Sequence, residues 1–185
     1  MTEKTAQYDA VDLLVQQHRQ IRFMFDELQK TVGEARQDRF EHLRRFLAVH
    51  ETAEELVVHP RARAGDGGEV VNARLAEERS AKKLLAELDG ADTAAADFPA
   101  KLAALRTAVL DHADHEEQEE FPLLRKSTDP KTLATMARAI RAAEAMAPTH
   151  PHPGVESATA NALAGPMASL VDRTRDAVRA VIGKG

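Results

Sequence analysis

The pattern His-x3-Glu-x5-Pro occurs twice in this chain, and it constrains the fold more than any other feature. It is His50, Glu54 and Pro60 in VHETAEELVVHP, and His112, Glu116 and Pro122 in DHADHEEQEEFP, with an offset of 62 residues at all three positions. On an α-helix, residues four apart share a face, one turn apart. Each copy therefore presents an imidazole and a carboxylate side by side. Two such helices facing each other can enclose a pair of metal ions, which is how helix bundles build carboxylate-bridged sites. The repeat extends upstream. LLVQQHRQIRFMFDEL (13–28) aligns with ARLAEERSAKKLLAEL (73–88) at an offset of 60, matching Leu28 to Leu88, Glu27 to Glu87 and Arg19 to Arg79. In that register His18 falls opposite Glu78. The chain reads as two successive helix pairs, each giving one ligand candidate from its first helix and two from its second.

The apolar positions place these residues inside. The first helix is expected from about Asp9 to Lys30, with the stripe Val11, Leu14, His18, Ile21, Phe25, Leu28. The second runs from about Asp38 to His59, with Leu43, Phe46, Leu47, His50, Glu54, Val57. The glycine-rich turn RARAGDGGEV follows. A third helix, about Val70 to Leu88, carries Val71, Leu75, Glu78, Ala81, Leu85, Leu88. A fourth has Pro99 in its first turn, carries Leu102, Leu105, Val109, His112, Glu116, and ends near Lys126. All six candidates thus lie on apolar stripes at the 3.6-residue period. Burying an unpaired carboxylate or imidazolium costs several kcal/mol. Three carboxylates and three imidazoles in one core need a counter-charge, and bound cations supply it. The expected fold class is all-α: an antiparallel up-down four-helix bundle over residues 1–127, with a C-terminal helical extension over 128–185. In the extension, Asp129-Pro130 is a cap and first helical position for a helix of about 130–146. APTHPHPGVESATANALAGP should be irregular, and a last helix, about 166–182, is expected to pack on the bundle or on a second copy as a homodimer.

Composition closes off several alternatives. Aromatic residues make up 4% of the chain and the net charge is −5, with no basic stripe, so nucleic acid is not an expected partner. There is no cysteine, which rules out disulfides, thiolate ligands, iron–sulfur clusters and cysteine nucleophiles. MTEKTAQYDAVDLL has no long apolar run, so neither a signal peptide nor a membrane anchor is expected there, and the cytoplasm is the default compartment. Among the remaining candidates, Glu51 is a further ligand candidate through its adjacency to His50. His59 and His115 lie off the main stripe and read as residues behind the ligands or at the surface. His42 reads as solvated, His150 and His152 as polar loop residues, and Tyr8 as a residue that could close one bundle end.

His18, His50 with Glu54, and His112 with Glu116, spread over residues 10–126, resemble the hemerythrin-like family, the bacterial HHE cation-binding domains. Pro60 and Pro122, with Phe121 and Leu123 around the second, match that family's way of ending these helices. The resemblance implies four antiparallel helices around a non-haem di-iron centre bridged by two carboxylates, with two irons per chain and dioxygen, peroxide or nitric oxide as ligands. It implies His18, His50, Glu54, Glu78, His112 and Glu116 as the metal-ligand positions, Glu78 standing where the family has a histidine. Glu78 is then either a ligand itself or a buried acid hydrogen-bonded to a ligand histidine. Two kinds of function stay open: oxidant handling, including catalase-like peroxide turnover, and a non-enzymatic iron or oxygen sensor, store or interaction module.

Overall fold

The computed structural model describes residues 8–64, 66–146 and 164–183, and these are helical apart from short turns. α1 (Ala10–Lys30) starts at a capping box: the Asp9 carboxylate accepts from the Asp12 amide and Asp12 returns the bond to the Asp9 amide. Gly33, at φ 66°, makes the turn into α2 (Glu34–Ala53), a conformation that disfavours any side chain. Next come a π-helical turn (Glu54–Val58), α3 (His59–Ala64), α4 (Gly68–Glu87) and α5 (Phe98–His115). A second π-helical turn (Glu116–Glu120) leads into α6 (Phe121–Ser127). α7 (Pro130–Glu144) is capped by Asp129, which accepts from the amides of Lys131 and Thr132, and α8 (Ala164–Ile182) follows. Because Asp9 satisfies an amide that the helix itself cannot, Asp9→Ala is expected to lower stability by about 1 kcal/mol, read as a drop in denaturant midpoint at unchanged slope.

Four rods form the bundle: α1, α2 through α3, α4, and α5 through α6. α1 packs on α2 and α5, and α4 packs on α5. Phe25, Phe40, Phe98, Leu43, Leu88 and Leu105 are each no more than 1% exposed and fill the half away from the glutamates. Phe40 and Phe98 meet edge to face at 5.3 Å. α7 lies against α1 and α2, and α8 against α2 and α7. Leu170 and Val178 of α8 are buried, so its apolar face is covered within the chain. No helix among the described residues is long and apolar enough to cross a membrane.

The structure corrects the expected helices at two places. The second helix does not stop at His59: it runs through Pro60 to Ala64, so RARA belongs to the helix and the turn is shorter than expected. The second and fourth rods are also not uniform α-helix. In each, the π turn starts on the glutamate of the repeat, and an i→i+5 bond closes it, from the His59 amide to the Glu54 carbonyl and from the Phe121 amide to the Glu116 carbonyl. Proline explains the placement. It has no N–H, and in an α-helix its ring meets the carbonyl four residues back. One wide turn just before Pro60 and Pro122 opens that crowded stretch and lets the helix continue.

Candidate metal centre

The six stripe residues meet in the core, where the two π turns face α1 and α4. His18, Glu54 and Glu116 are fully buried; His50, Glu78 and His112 are at most 4% exposed. His18 Nε2 lies 3.3 Å from Glu116 Oε2 and 3.7 Å from Glu54 Oε1. His50 Nε2 is 3.4 Å from Glu54 Oε2, and His112 Nε2 is 3.6 Å from Glu116 Oε1. Donor atoms of His18, His50, Glu54 and Glu116 all fall within 4.8 Å of one another, as do those of Glu51, Glu78 and His112, and those of His59, Glu116 and Glu120.

The outer ring nitrogens determine which tautomer each imidazole adopts. His18 Nδ1 donates to Glu117 Oε1 at 2.9 Å, His50 Nδ1 to Gln17 Oε1 at 2.9 Å, and His112 Nδ1 to Glu77 Oε2 at 3.1 Å. An ionised carboxylate or an amide oxygen can only accept, so each ring carries a proton on Nδ1 and turns Nε2 inward, where it offers a lone pair to a cation once any second proton has left. This is how carboxylates and amides orient metal-ligating histidines. Yet His18 Nε2, His112 Nε2 and all four oxygens of Glu54 and Glu116 are buried without a hydrogen-bond partner, the short separations above lacking hydrogen-bond alignment. Buried polar atoms are normally paired. A core that orients its donors inward and leaves them unpaired fits a set of cations between them.

The two halves of the centre are built differently, and the sequence repeat shows where. Gln17 behind His50 has Glu77 behind His112 as its counterpart, offset by 60 residues. In the first half His18 stacks on Phe121 at 5.6 Å and is held by Glu117, which Arg22 also binds at 3.2 Å. The counterparts of these four residues are Glu78, His59, Glu55 and Lys82. His59 Nε2 donates to Glu78 Oε1 at 2.5 Å, and Lys82 donates to Glu78 at 3.0 Å and Glu55 at 2.6 Å. The imidazole–phenyl pair of one half has become a carboxylate–imidazole pair in the other, and the ammonium of Lys82 links the two carboxylates. His59 Nδ1 also donates to Glu120 Oε1 at 2.9 Å. With both nitrogens donating to carboxylates, His59 is an imidazolium.

The electrostatics agree. Burial opposes charge on His59, but its bonds to Glu120 and Glu78 overcome this and push its pKa up to about 11. Burial likewise opposes charge on His18, and Glu116, Glu117 and Glu54 together hold it protonated well above the usual range. Burial, with His18 beside it, pushes His50 down to about 3. Burial, reinforced by the charge of Glu116, raises Glu54 to about 8, while His112 and His18 outweigh burial and hold Glu116 ionised, its carboxyl at about 2. Burial and Glu78 raise Glu51 to about 8. For Glu78, burial is outweighed by His59 and Lys82, which keep it ionised. Without cations, protons on Glu54 and His18 therefore supply the missing positive charge, and cation binding releases protons of this kind.

Each residue expected from the sequence is in or beside this cluster. Glu78 is there too, but both its oxygens already have partners, so binding a cation through it means giving up His59 or Lys82. Glu51 joins Glu78 and His112, and its Oε2 has no hydrogen-bond partner. His59 is neither at the surface nor peripheral: it is 4% exposed and joins two buried carboxylates. Glu120, fully buried, was not foreseen. His115 is 45% exposed at its side chain and bonds Glu77. His42 is only half-buried, not fully solvated, and Tyr8 is exposed. His150 and His152 lie outside the described residues.

Comparison with known proteins gives the class. The family model "Hemerythrin HHE cation binding domain" matches residues 9–124. The chain belongs to the hemerythrin HHE cation-binding family. A protein of Nostoc sp. named DNA nickase is 26% identical over 134 residues, which is 72% of this chain; the chain spans only 38% of that relative's length. The crystal structure of a hemerythrin HHE cation binding domain-containing protein from Mycobacterium kansasii superposes over 95% of this chain and 99% of that one, with a TM-score of 0.65. At 16% identity this is a likeness of fold, and it takes in the C-terminal helices.

Proposed function

We propose that this protein holds two non-haem irons and uses them to handle a small oxidant: dioxygen, peroxide or nitric oxide. The observation that carries this reading is the set of inward-facing, unpartnered donors: Nε2 of His18 and His112 and both carboxylates of Glu54 and Glu116. Nitrogen and oxygen donors without thiolate suit iron, manganese or zinc, and the hemerythrin relationship favours iron. His18 and His50 would hold one ion and His112, Glu78 and Glu51 the other, with Glu54 and Glu116 shared between them. Bound there, the irons would supply electrons to an oxidant at an open coordination position. Gln17, Glu77 and Glu117 fix the imidazole tautomers, and burial keeps bulk water away from all six positions. Glu78 and Glu51 add negative charge to one half, which favours ferric over ferrous iron. This suits peroxide or nitric oxide chemistry better than reversible oxygen carriage. The iron-loaded protein is expected to turn over peroxide, and His112→Ala to reduce the rate at least tenfold while far-ultraviolet circular dichroism stays the same. Retained turnover in that variant would remove the centre from the reaction.

A second reading, a non-enzymatic iron or oxygen sensor, draws on the contact of α7 and α8 with the π turn that begins at Glu54. Occupancy of the centre could then be felt in the extension. Loaded protein with no peroxide turnover, but with altered hydrogen exchange in α8, would favour it. The activity in the name of the Nostoc relative is not carried over, since the aligned segment is a minor part of that protein.

A further inference from the structure

A pocket of about 230 Å³ lies between α2, α4, α5 and α8. Its walls are largely aliphatic, from Leu47, Leu85, Leu105, Val109 and Val171, with Lys82 and Arg175 among its polar residues. Val171 and Arg175, four apart on one face of α8, belong to the extension, beyond the residues that match the family model. The pocket lies apart from the metal centre but touches it at one residue. Among the described residues, Glu51 is the only lining residue that also belongs to a group able to hold a cation, the one with Glu78 and His112. Glu51 Oε2 is sealed from solvent and has no hydrogen-bond partner. The counterpart of Glu51 in the other half is Ala113, so this link exists on one side only.

We propose that this pocket binds a neutral organic molecule of about one-ring size that carries a single hydrogen-bond donor, a phenol being the simplest example. Size is the first argument. An aliphatic cavity of roughly 150 Å³ accepts benzene, so the present volume holds a ring with a substituent and is far larger than a diatomic gas needs. Polarity is the second. Aliphatic walls select an apolar body, and Glu51 is an acceptor that prefers a hydroxyl. Charge is the third. Lys82 is already tied to Glu55 and Glu78, and Arg175 pairs with Asp172 at 3.6 Å, so neither makes a free anion site. With both cations paired, a carboxylate ligand would find no free positive charge in the lining. The clause that such a molecule sits beside an iron rests on the proposed function; the binding itself does not.

The test uses phenol, benzoate and xenon on the full chain. Metal-free protein is expected to bind phenol saturably by calorimetry and xenon by NMR, with benzoate at least tenfold weaker than phenol. Val171→Phe and Ala48→Phe fill the pocket from α8 and α2, both at half-buried positions. Each is expected to weaken phenol binding at least tenfold with unchanged circular dichroism. Absence of saturable phenol binding, or equal binding in a folded filling variant, would overturn the proposal. In iron-loaded protein phenol should perturb the optical spectrum; an unperturbed spectrum with intact phenol binding would overturn the adjacency of pocket and centre. Because the first measurements need no metal, a chain that retains no iron would sink the proposed function and leave the pocket to be decided separately.

Discussion

His59→Phe alone is expected to destabilise the protein by about 3–5 kcal/mol, the usual result of removing one partner from a buried ion pair. Glu120 is fully buried, its Oε1 is bonded to His59 and its Oε2 has no partner, while Glu78 would keep only Lys82. For a chain of this length the loss corresponds to a melting temperature lower by roughly 6–20 °C. The repeat also says how to repair it. His59, Glu78 and Glu120 have Phe121, His18 and Val58 as counterparts in the other half. The triple variant His59→Phe/Glu78→His/Glu120→Val should therefore recover most of the lost stability, with the new imidazole at 78 facing Glu55 as His18 faces Glu117. The coupling among the three sites should exceed about 1 kcal/mol, since residues in one network are not additive. Denaturant titration of the single and triple variants measures it. If the single variant is as stable as the parent, or the triple variant is no better than the single, then Glu78 and His59 are not a compensating pair. The same pairing predicts that Glu78→His alone is a poor mimic of the family pattern, because the new imidazole would lie against a cationic His59.

Much of this architecture was legible in the sequence. His18, His50, Glu54, Glu78, His112 and Glu116 were traceable because apolar stripes at the α-helical period carry them inward, and four rods follow from those stripes. His59 and Glu120 were not traceable in the same way. Extrapolated at α-helical spacing, a residue five beyond Glu54 points about 140° away from it. The π turn brings His59 back over the core. The visible trace of that turn is the duplicated proline, which read as a stop and turned out to mark a place where the helix widens and continues. The residues behind the imidazoles were hidden for another reason. Gln17, Glu77 and Glu117 each sit next to a stripe position and look like solvated face; the repeat pairs Gln17 with Glu77, but nothing in periodicity alone tells an outward carboxylate from one that bonds a neighbouring ring.

Cation removal should have the second largest effect. A ligand that binds only the folded state at a thousand times its Kd contributes about 4 kcal/mol, so chelation should lower the melting temperature by roughly 8–16 °C. The difference should grow between about pH 6.5 and 8. In that window the metal-free protein keeps protons that the unfolded chain has lost: Glu54 and Glu51, raised from 4.5 to about 8, and His18, raised from 6.5. A group raised in the folded state stabilises fully below its unfolded pKa and loses that contribution as pH rises toward its folded value. His50 pulls the other way only below 6.5, since it is lowered to about 3. His59, raised from 6.5 to about 11, weakens both forms alike over this range, so the metal-free form should lose stability with rising pH more steeply than the loaded form, which is already deprotonated at its ligands. A melting curve unaffected by verified iron removal, or a gap that narrows over this range, would contradict the account.

The central claim is that Glu54 and Glu116 are shared between two irons held by His18, His50 and His112. Its most direct test is iron quantification with an optical spectrum on protein from iron-replete cells, set beside Glu54→Ala and Glu116→Ala variants checked for folding. The account predicts about two irons per chain and near-ultraviolet absorption of an oxo-bridged diferric pair in the parent, with less than half of the iron and none of that absorption in either folded variant. A parent chain that retains no iron, or folded variants that keep the full iron content and the same spectrum, would contradict it.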